Sequence, residues 1–132
     1  MPPTPPRLEL VILAVDDLAR ASAFYRAVLG WDVVVDVPVY LELAGPGGIR
    51  LGVYRTEGFA RNVGVVPAGA APGAISRCEL YLRCDDPAAV IERAIAAGAR
   101  LLSPLAPRDW GDLAGYVADP DGNVVVFARS AS

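Results

Sequence analysis

Apolar and polar positions alternate in blocks along the chain, and the order of the blocks repeats. Leu8 to Val15 (LELVILAV) is a short run of branched apolar residues that predicts a strand, and Asp16-Asp17 then opens a helical segment running to Leu29. Leu18, Ala21, Tyr25, Val28 and Leu29 recur there at three- and four-residue spacing, and Gly30 stands where a left-handed terminator is wanted. Trp31 to Asp36, Val39 to Leu43 and Ile49 to Tyr54 predict further strands, the last two joined as a hairpin through Gly45-Pro46-Gly47-Gly48.

Residues 55–76 are loaded with Gly, Pro and Ala and lack sustained periodicity, which predicts a linker or mobile loop. The first pattern then returns. Glu79 to Cys84 reads as a strand, Asp85-Asp86 as a cap, Pro87 to Ala97 as a helix with Pro in its first turn, and Gly98 as its stop. Leu101-Leu102, Ala114 to Ala118 and Asn123 to Ala128 supply the remaining strands, with Asp119-Pro120-Asp121-Gly122 turning between the last two. Laid over one another, Leu10 to Asp17 match Glu79 to Asp86, and Gly30 matches Gly98. The expected organisation is a single domain over 1–132 made of two βαβββ modules, 8–54 and 77–129, joined by the loop 55–76. Each module is expected to have one sheet face covered by its own helix and the other open to a second copy or a ligand.

Composition narrows the chemistry mainly by what it lacks. With 132 residues, 54% of them hydrophobic, the chain has enough apolar mass for one well-buried domain. It has no histidine, and all 12 basic side chains are arginine. Ser-His and Cys-His nucleophile pairs, imidazole metal ligands, Schiff bases and phosphate-loop lysines are therefore excluded, leaving Asp, Glu, Tyr, Cys or a bound cofactor for any acid–base work. A net charge of -3 with dispersed arginines lacks the footprint of nucleic-acid binding. Cys78 and Cys84 sit six residues apart in one expected strand, roughly 20 Å at ~3.3 Å per residue and out of disulfide reach. With no apolar signal core and no membrane-length run, these features predict a cytoplasmic setting without membrane contact.

The stretch DDLARASAFYRAVLGW (Asp16 to Trp31), the second DD-plus-helix, and WGDLAGYVADPDGN (Trp110 to Asn123) together resemble the vicinal oxygen chelate superfamily. That superfamily includes glyoxalase I, extradiol dioxygenases and bleomycin-resistance proteins. The resemblance covers nearly the whole chain and implies an α+β fold: two tandem βαβββ modules with curled mixed sheets forming a ligand cup, in a homodimer. In metal-using members it places ligands at positions corresponding to Leu10, Gly52, Glu79 and Val126, of which Glu79 alone carries a donor. One carboxylate falls short of the three protein ligands that a catalytic divalent site normally takes, so no metal and no other cofactor is expected.

Strand alternation, propagated from those four positions, fixes the cup face. It reads Leu10, Ile12 and Ala14; Tyr40 and Glu42; Arg50, Gly52 and Tyr54; Glu79, Tyr81 and Arg83; Tyr116 and Ala118; Val124 and Val126. Leu41, Leu43, Ile49, Leu51, Val53, Val125 and Phe127 fall on the helix side. Charged residues turned inward without partners cost several kcal/mol each, at about the scale of an unpaired buried ion. Either Glu79–Arg83 and Glu42–Arg50 pair across a wet cleft, or they line a concave site with aromatic walls. Trp110, in the loop from Pro104 to Leu113, either stacks on a planar ligand or seals the sheet edge. Phe59 is a weaker candidate for a lid, Trp31 and the Phe24-Tyr25 pair read as packing, and neither cysteine has an activating neighbour.

The leading functional reading is metal-independent binding of a small, planar or aromatic molecule in a cup between the modules. Tyr40, Tyr54, Tyr81, Tyr116 and Trp110 would supply its walls, and Glu42, Arg50, Glu79 and Arg83 would orient it. The alternative is a metal-independent lyase or isomerase with Glu79 as general base. Glu79→Gln separates the two, abolishing turnover in an enzyme and changing only affinity in a binder.

Overall fold

The computed structural model describes residues 3–69 and 71–132. In chain order the elements are β1 (Leu10–Val15), α1 (Leu18–Leu29), β2 (Asp32–Val37), β3 (Tyr40–Ala44), β4 (Arg50–Arg55), α2 (Thr56–Val63), β5 (Glu79–Arg83), α3 (Pro87–Ala96), β6 (Arg100–Pro107), β7 (Asp112–Ala118) and β8 (Val124–Ser130), with a short 3-10 turn at Pro46–Gly48. The strands form two mixed sheets of four, ordered β1-β4-β3-β2 and β5-β8-β7-β6. In each, the first strand pairs parallel to the last and the other pairings are antiparallel. This is the α+β, two-module βαβββ arrangement that the internal repeat predicts. No helix among the described residues is long and apolar enough to cross a membrane.

The chain divides into two compact units, one holding the residues up to Leu18 and Trp31–Pro67, the other Ala19–Gly30 and Ala68–Ser132. In the first unit, period-two alternation on β3 and β4 separates two faces. Leu41, Leu43, Leu51 and Val53 are at most 3% exposed, while Tyr40, Glu42, Arg50, Gly52 and Tyr54 share the opposite face, with Tyr40 facing Tyr54 and Glu42 facing Gly52 across the ladder. Trp31 lies across Gly45, where an added Cβ would fall 2.7 Å from the indole ring.

The expected unstructured loop at 55–76 is corrected at its start: α2 occupies Thr56–Val63 and stops at Gly64, whose positive φ of 92° and N–H to the Ala60 carbonyl close the last turn. Periodicity misses α2 because it is only eight residues long and carries Gly58 inside, a residue that weakens helices. Gly58 has a packing reason to be there: a Cβ would sit 2.3 Å from the Tyr54 ring. Thr56 Oγ1 also donates to Asp16 Oδ1 at 2.8 Å, tying α2 to the end of β1.

In the second unit, α3 covers β6, β7 and β8. Asp86 caps it by accepting the Ala89 N–H at 3.2 Å, and Pro87 occupies its first turn, as the DDP signature predicts. Close approach is made possible at Gly115, where a Cβ would meet Ile91 Cδ1 at 2.4 Å. Val117, Val125 and Phe127 are buried at 1% exposure or less. The edge strand β6 runs eight residues instead of the expected Leu101-Leu102, with irregular register between Leu101 and Ser103 and between Ser103 and Ala106. Its Pro104 and Pro107 interrupt the strand pattern in the sequence, but an edge strand with bulges tolerates them.

Helix α1 is fastened into this second unit. The buried Tyr25 hydroxyl donates to Asp119, Arg20 pairs with Asp121 at 3.3 Å, and Arg93 donates to the Val28 carbonyl at 2.7 Å. Asp119 also organises the DPDGN turn. Its Oδ1 accepts the backbone N–H groups of Asp121 and Asn123, each at 2.8 Å, and its Oδ2 accepts the Asn123 side-chain amide at 2.9 Å. Burial and the Asp119 carboxylate push the Tyr25 phenol well above its ordinary pKa.

Candidate functional site

The expected site residues fall into three groups. The first lies on the open face of β3 and β4. Tyr40 donates to Glu42 Oε1 at 2.5 Å and Arg50 to Glu42 Oε2 at 2.8 Å, so both carboxylate oxygens are engaged. The phenol hydrogen bond and then Arg50 hold Glu42 below the usual carboxylate range despite its burial, while burial and Glu42 push Tyr40 up. Tyr54 meets Tyr40 edge to face, ring centres 5.3 Å apart. Tyr40 also lies over Gly52, where a Cβ would sit 2.3 Å from its hydroxyl. This group is self-satisfied.

The second group lies on the open face of β5 and β7. Trp110 Nε1 donates to the Tyr81 hydroxyl at 2.8 Å, Tyr81 donates to Asp112 Oδ2 at 2.6 Å, and Arg83 grips both Asp112 oxygens at 3.2 and 2.9 Å. Arg83 and then Tyr81 hold the Asp112 carboxyl below its usual range. Trp110 remains 58% exposed, so its indole is fixed by a hydrogen bond without being covered. Asp112 is the centre of this group, and the sequence reading placed it in a loop. The expected Glu79–Arg83 pair does not form, because Arg83 reaches Asp112 instead. Counting back in steps of two from Tyr116 was the signal that reaches Asp112 on the same face.

The third group surrounds a cleft of about 480 Å³, lined by Ile75 to Glu79 together with Leu102, Ser103, Tyr116 and Val124. Val124 and Leu102 belong to a small apolar cluster with Ala114, Val126 and Ala128. Ser76 pins the entrance: its N–H donates to the Gly122 carbonyl, and its hydroxyl donates to the Cys78 carbonyl at 2.6 Å and accepts the Val124 N–H at 3.0 Å. Behind Tyr116, Arg108 stacks 5.0 Å from the ring centre, itself held by the Ala114 and Pro104 carbonyls and the Ser103 hydroxyl. Among the described residues the Glu79 carboxylate, the Arg77 guanidinium and the Tyr116 hydroxyl make no hydrogen bond or ion pair. The two cysteines are free, and burial pushes the Cys84 thiol up, away from thiolate reactivity.

Residues 10–127 match the glyoxalase-like domain family, and the chain belongs to that family. Its fold is shared with a glyoxalase-related enzyme from Fulvimarina pelagi, at 29% identity and a TM-score of 0.79 over 92% of this chain and 86% of that one. A glyoxalase/bleomycin resistance protein/dioxygenase family enzyme from Burkholderia phytofirmans PsJN is 22% identical, with a TM-score of 0.79 over 93% and 98% of the two chains. TioX from Micromonospora sp. ML1 is similar in fold at 24% identity and a TM-score of 0.67, covering 95% and 99%. No protein of curated function matches the sequence.

The positions where the superfamily resemblance places metal ligands do not fit a metal here. Leu10, Gly52 and Val126 carry no donor atoms, Gly52 lies under the Tyr40 phenol, and no three His, Cys, Asp or Glu side chains cluster among the described residues.

Proposed function

We propose that this chain binds a small, planar or aromatic molecule in the cleft of its second unit, without a metal. The cleft is the observation that carries the reading. Its volume lies within the ~300–1,000 Å³ typical of small-molecule sites, its floor is apolar, and Glu79 and Tyr116 offer polar groups with no internal partner. Burying about 150 Å² of ring at roughly 25 cal/mol per Å² supplies ~4 kcal/mol, which does little more than offset the cost of association. Tighter binding must come from the polar groups. Tyr81 and Trp110, held by Asp112 and Arg83, offer a rigid aromatic surface on the same sheet face. In this reading the protein works in the cytoplasm as a homodimer that sequesters its ligand.

A protein-observed NMR titration with quinoline, indole and 2-naphthol tests the proposal. Saturable shifts at Leu102, Tyr116 and Val124, weakened by Tyr116→Ala, support it. Absence of saturable shifts there, or binding indifferent to Tyr116→Ala, overturns it. Light scattering tests the dimer, and a monomer at micromolar concentration refutes that part.

An enzymatic reading has one observation in its favour. Glu42 and Asp112 are neutralised by an arginine and a phenol, whereas the Glu79 carboxylate remains available as a general base. Once a substrate is found, turnover lost by orders of magnitude in Glu79→Gln, with binding retained, establishes that reading.

A further inference from the structure

The cleft carries a charge arrangement that the ring-binding proposal does not use. Its lining includes one cation, Arg77, in the bend before β5, and one anion, Glu79, the first residue of that strand. On the open faces Glu42 pairs with Arg50, and Asp112 with Arg83. Arg77 and Glu79 pair neither with each other nor with any other described residue. The segment that carries them is nonetheless held in place, because Ser76, immediately before Arg77, makes three hydrogen bonds to Gly122, Cys78 and Val124. Two opposite charges flank one apolar floor on a pinned backbone, and both remain open to a ligand.

We infer that the cleft recognises an aromatic zwitterion, an α-amino acid or its close derivative. The ammonium group meets Glu79, the carboxylate meets Arg77, and the ring lies over Val124 and Leu102 towards Tyr116. This deepens the ring-binding proposal and rests on it. A ligand bearing one charge satisfies one side chain and leaves the other cleft charge without a partner, whereas a zwitterion satisfies both. The Arg108 guanidinium against Tyr116 adds to the fit, since it withdraws charge from the ring and strengthens the hydroxyl as a donor to the ligand.

Three probes of equal ring and chain length isolate the charges: L-phenylalanine, phenethylamine, which lacks the carboxylate, and 3-phenylpropionate, which lacks the amine. In NMR titrations of the full chain, phenylalanine is expected to bind more tightly than either, by up to about fivefold, the worth of one solvent-accessible ion pair. Glu79→Gln should weaken phenylalanine and phenethylamine and leave 3-phenylpropionate unchanged. Arg77→Gln should weaken phenylalanine and 3-phenylpropionate and leave phenethylamine unchanged. Equal affinity for all three probes, or variants that act on all three alike, overturns the inference. If the neutral rings bind at Tyr116 and phenylalanine does not, the zwitterion assignment fails while the ring-binding proposal stands. If neither set binds, both fail.

Discussion

Removing one oxygen atom from Tyr25 tests how α1 is held. Tyr25 is fully buried, and its hydroxyl donates to Asp119, which is itself only 4% exposed. Tyr25→Phe keeps the ring and its edge-to-face contact with Phe24, ring centres 4.9 Å apart, so it opens almost no cavity. The loss is therefore the hydrogen bond to a charged acceptor, about 1.5–3 kcal/mol. The Asp119 oxygen that loses its phenol keeps the Asn123 amide, which favours the lower half of that range. An unfolding entropy of ~2.1 cal/mol/K per residue gives about 0.28 kcal/mol/K for 132 residues, so the midpoint should fall by roughly 5–8 °C.

Differential scanning calorimetry supplies the midpoint, and a cycle with Asp119→Ala supplies the coupling. In the Asp119→Ala background the same Tyr25→Phe change should cost little. The native fold raises the phenol's pKa, so its stabilising contribution is complete below the ordinary tyrosine value of about 10 and is lost as pH rises through the native value. Tyr25→Phe should lack that part of the alkaline slope. A loss under about 0.5 kcal/mol, or an equal loss with and without Asp119, refutes the assignment.

Two further outcomes follow from the open faces. Gly52→Ala should drive the Tyr40 ring off β4 and break its bond to Glu42, at about 1–3 kcal/mol; unchanged stability in urea, with unshifted Tyr40 resonances, would contradict this. Glu42 and Asp112 both have lowered native pKa values, so the stability they contribute is present above the ordinary carboxylate range, about 4, and is lost as pH falls through their native values. Urea midpoints between pH 7 and 2 should show this fall, with a shallower slope in Glu42→Gln and in Asp112→Asn; variants that keep the full slope would refute it.

The repeated blocks of apolar residues made the two sheets legible, because a strand's face is fixed by period two and its end by glycine or Asp-Asp. Leu41, Leu43, Leu51, Val53, Val125 and Phe127, which alternation assigns to the helix side, are all buried. Helix α2 and the length of β6 were not legible. Gly58 is in its helix because Tyr54 covers it, and the prolines of β6 are tolerated because that strand is an edge, and both reasons lie outside local sequence. Within the candidate site, alternation gave the shared faces but not the choice of ion-pair partner. Arg83 has Glu79 four residues away on the same strand, yet it reaches Asp112, 29 residues on, which presents both oxygens to the guanidinium. Cross-strand geometry decides such choices, and spacing along one strand does not.

The fastening of α1 bears on how the chain is made. A ribosome releases Tyr25 94 residues before Asp119, which at 5–20 residues per second is a wait of about 5–20 s. Through that interval the face carrying Ala21, Phe24, Tyr25 and Val28 lacks its Asp119 anchor while the strands of the first unit emerge. The second unit is thus discontinuous in sequence, begun by one of the first helices synthesised and closed by the last turn. Residues 19–30 belong to the second unit although the chain on both sides of them belongs to the first.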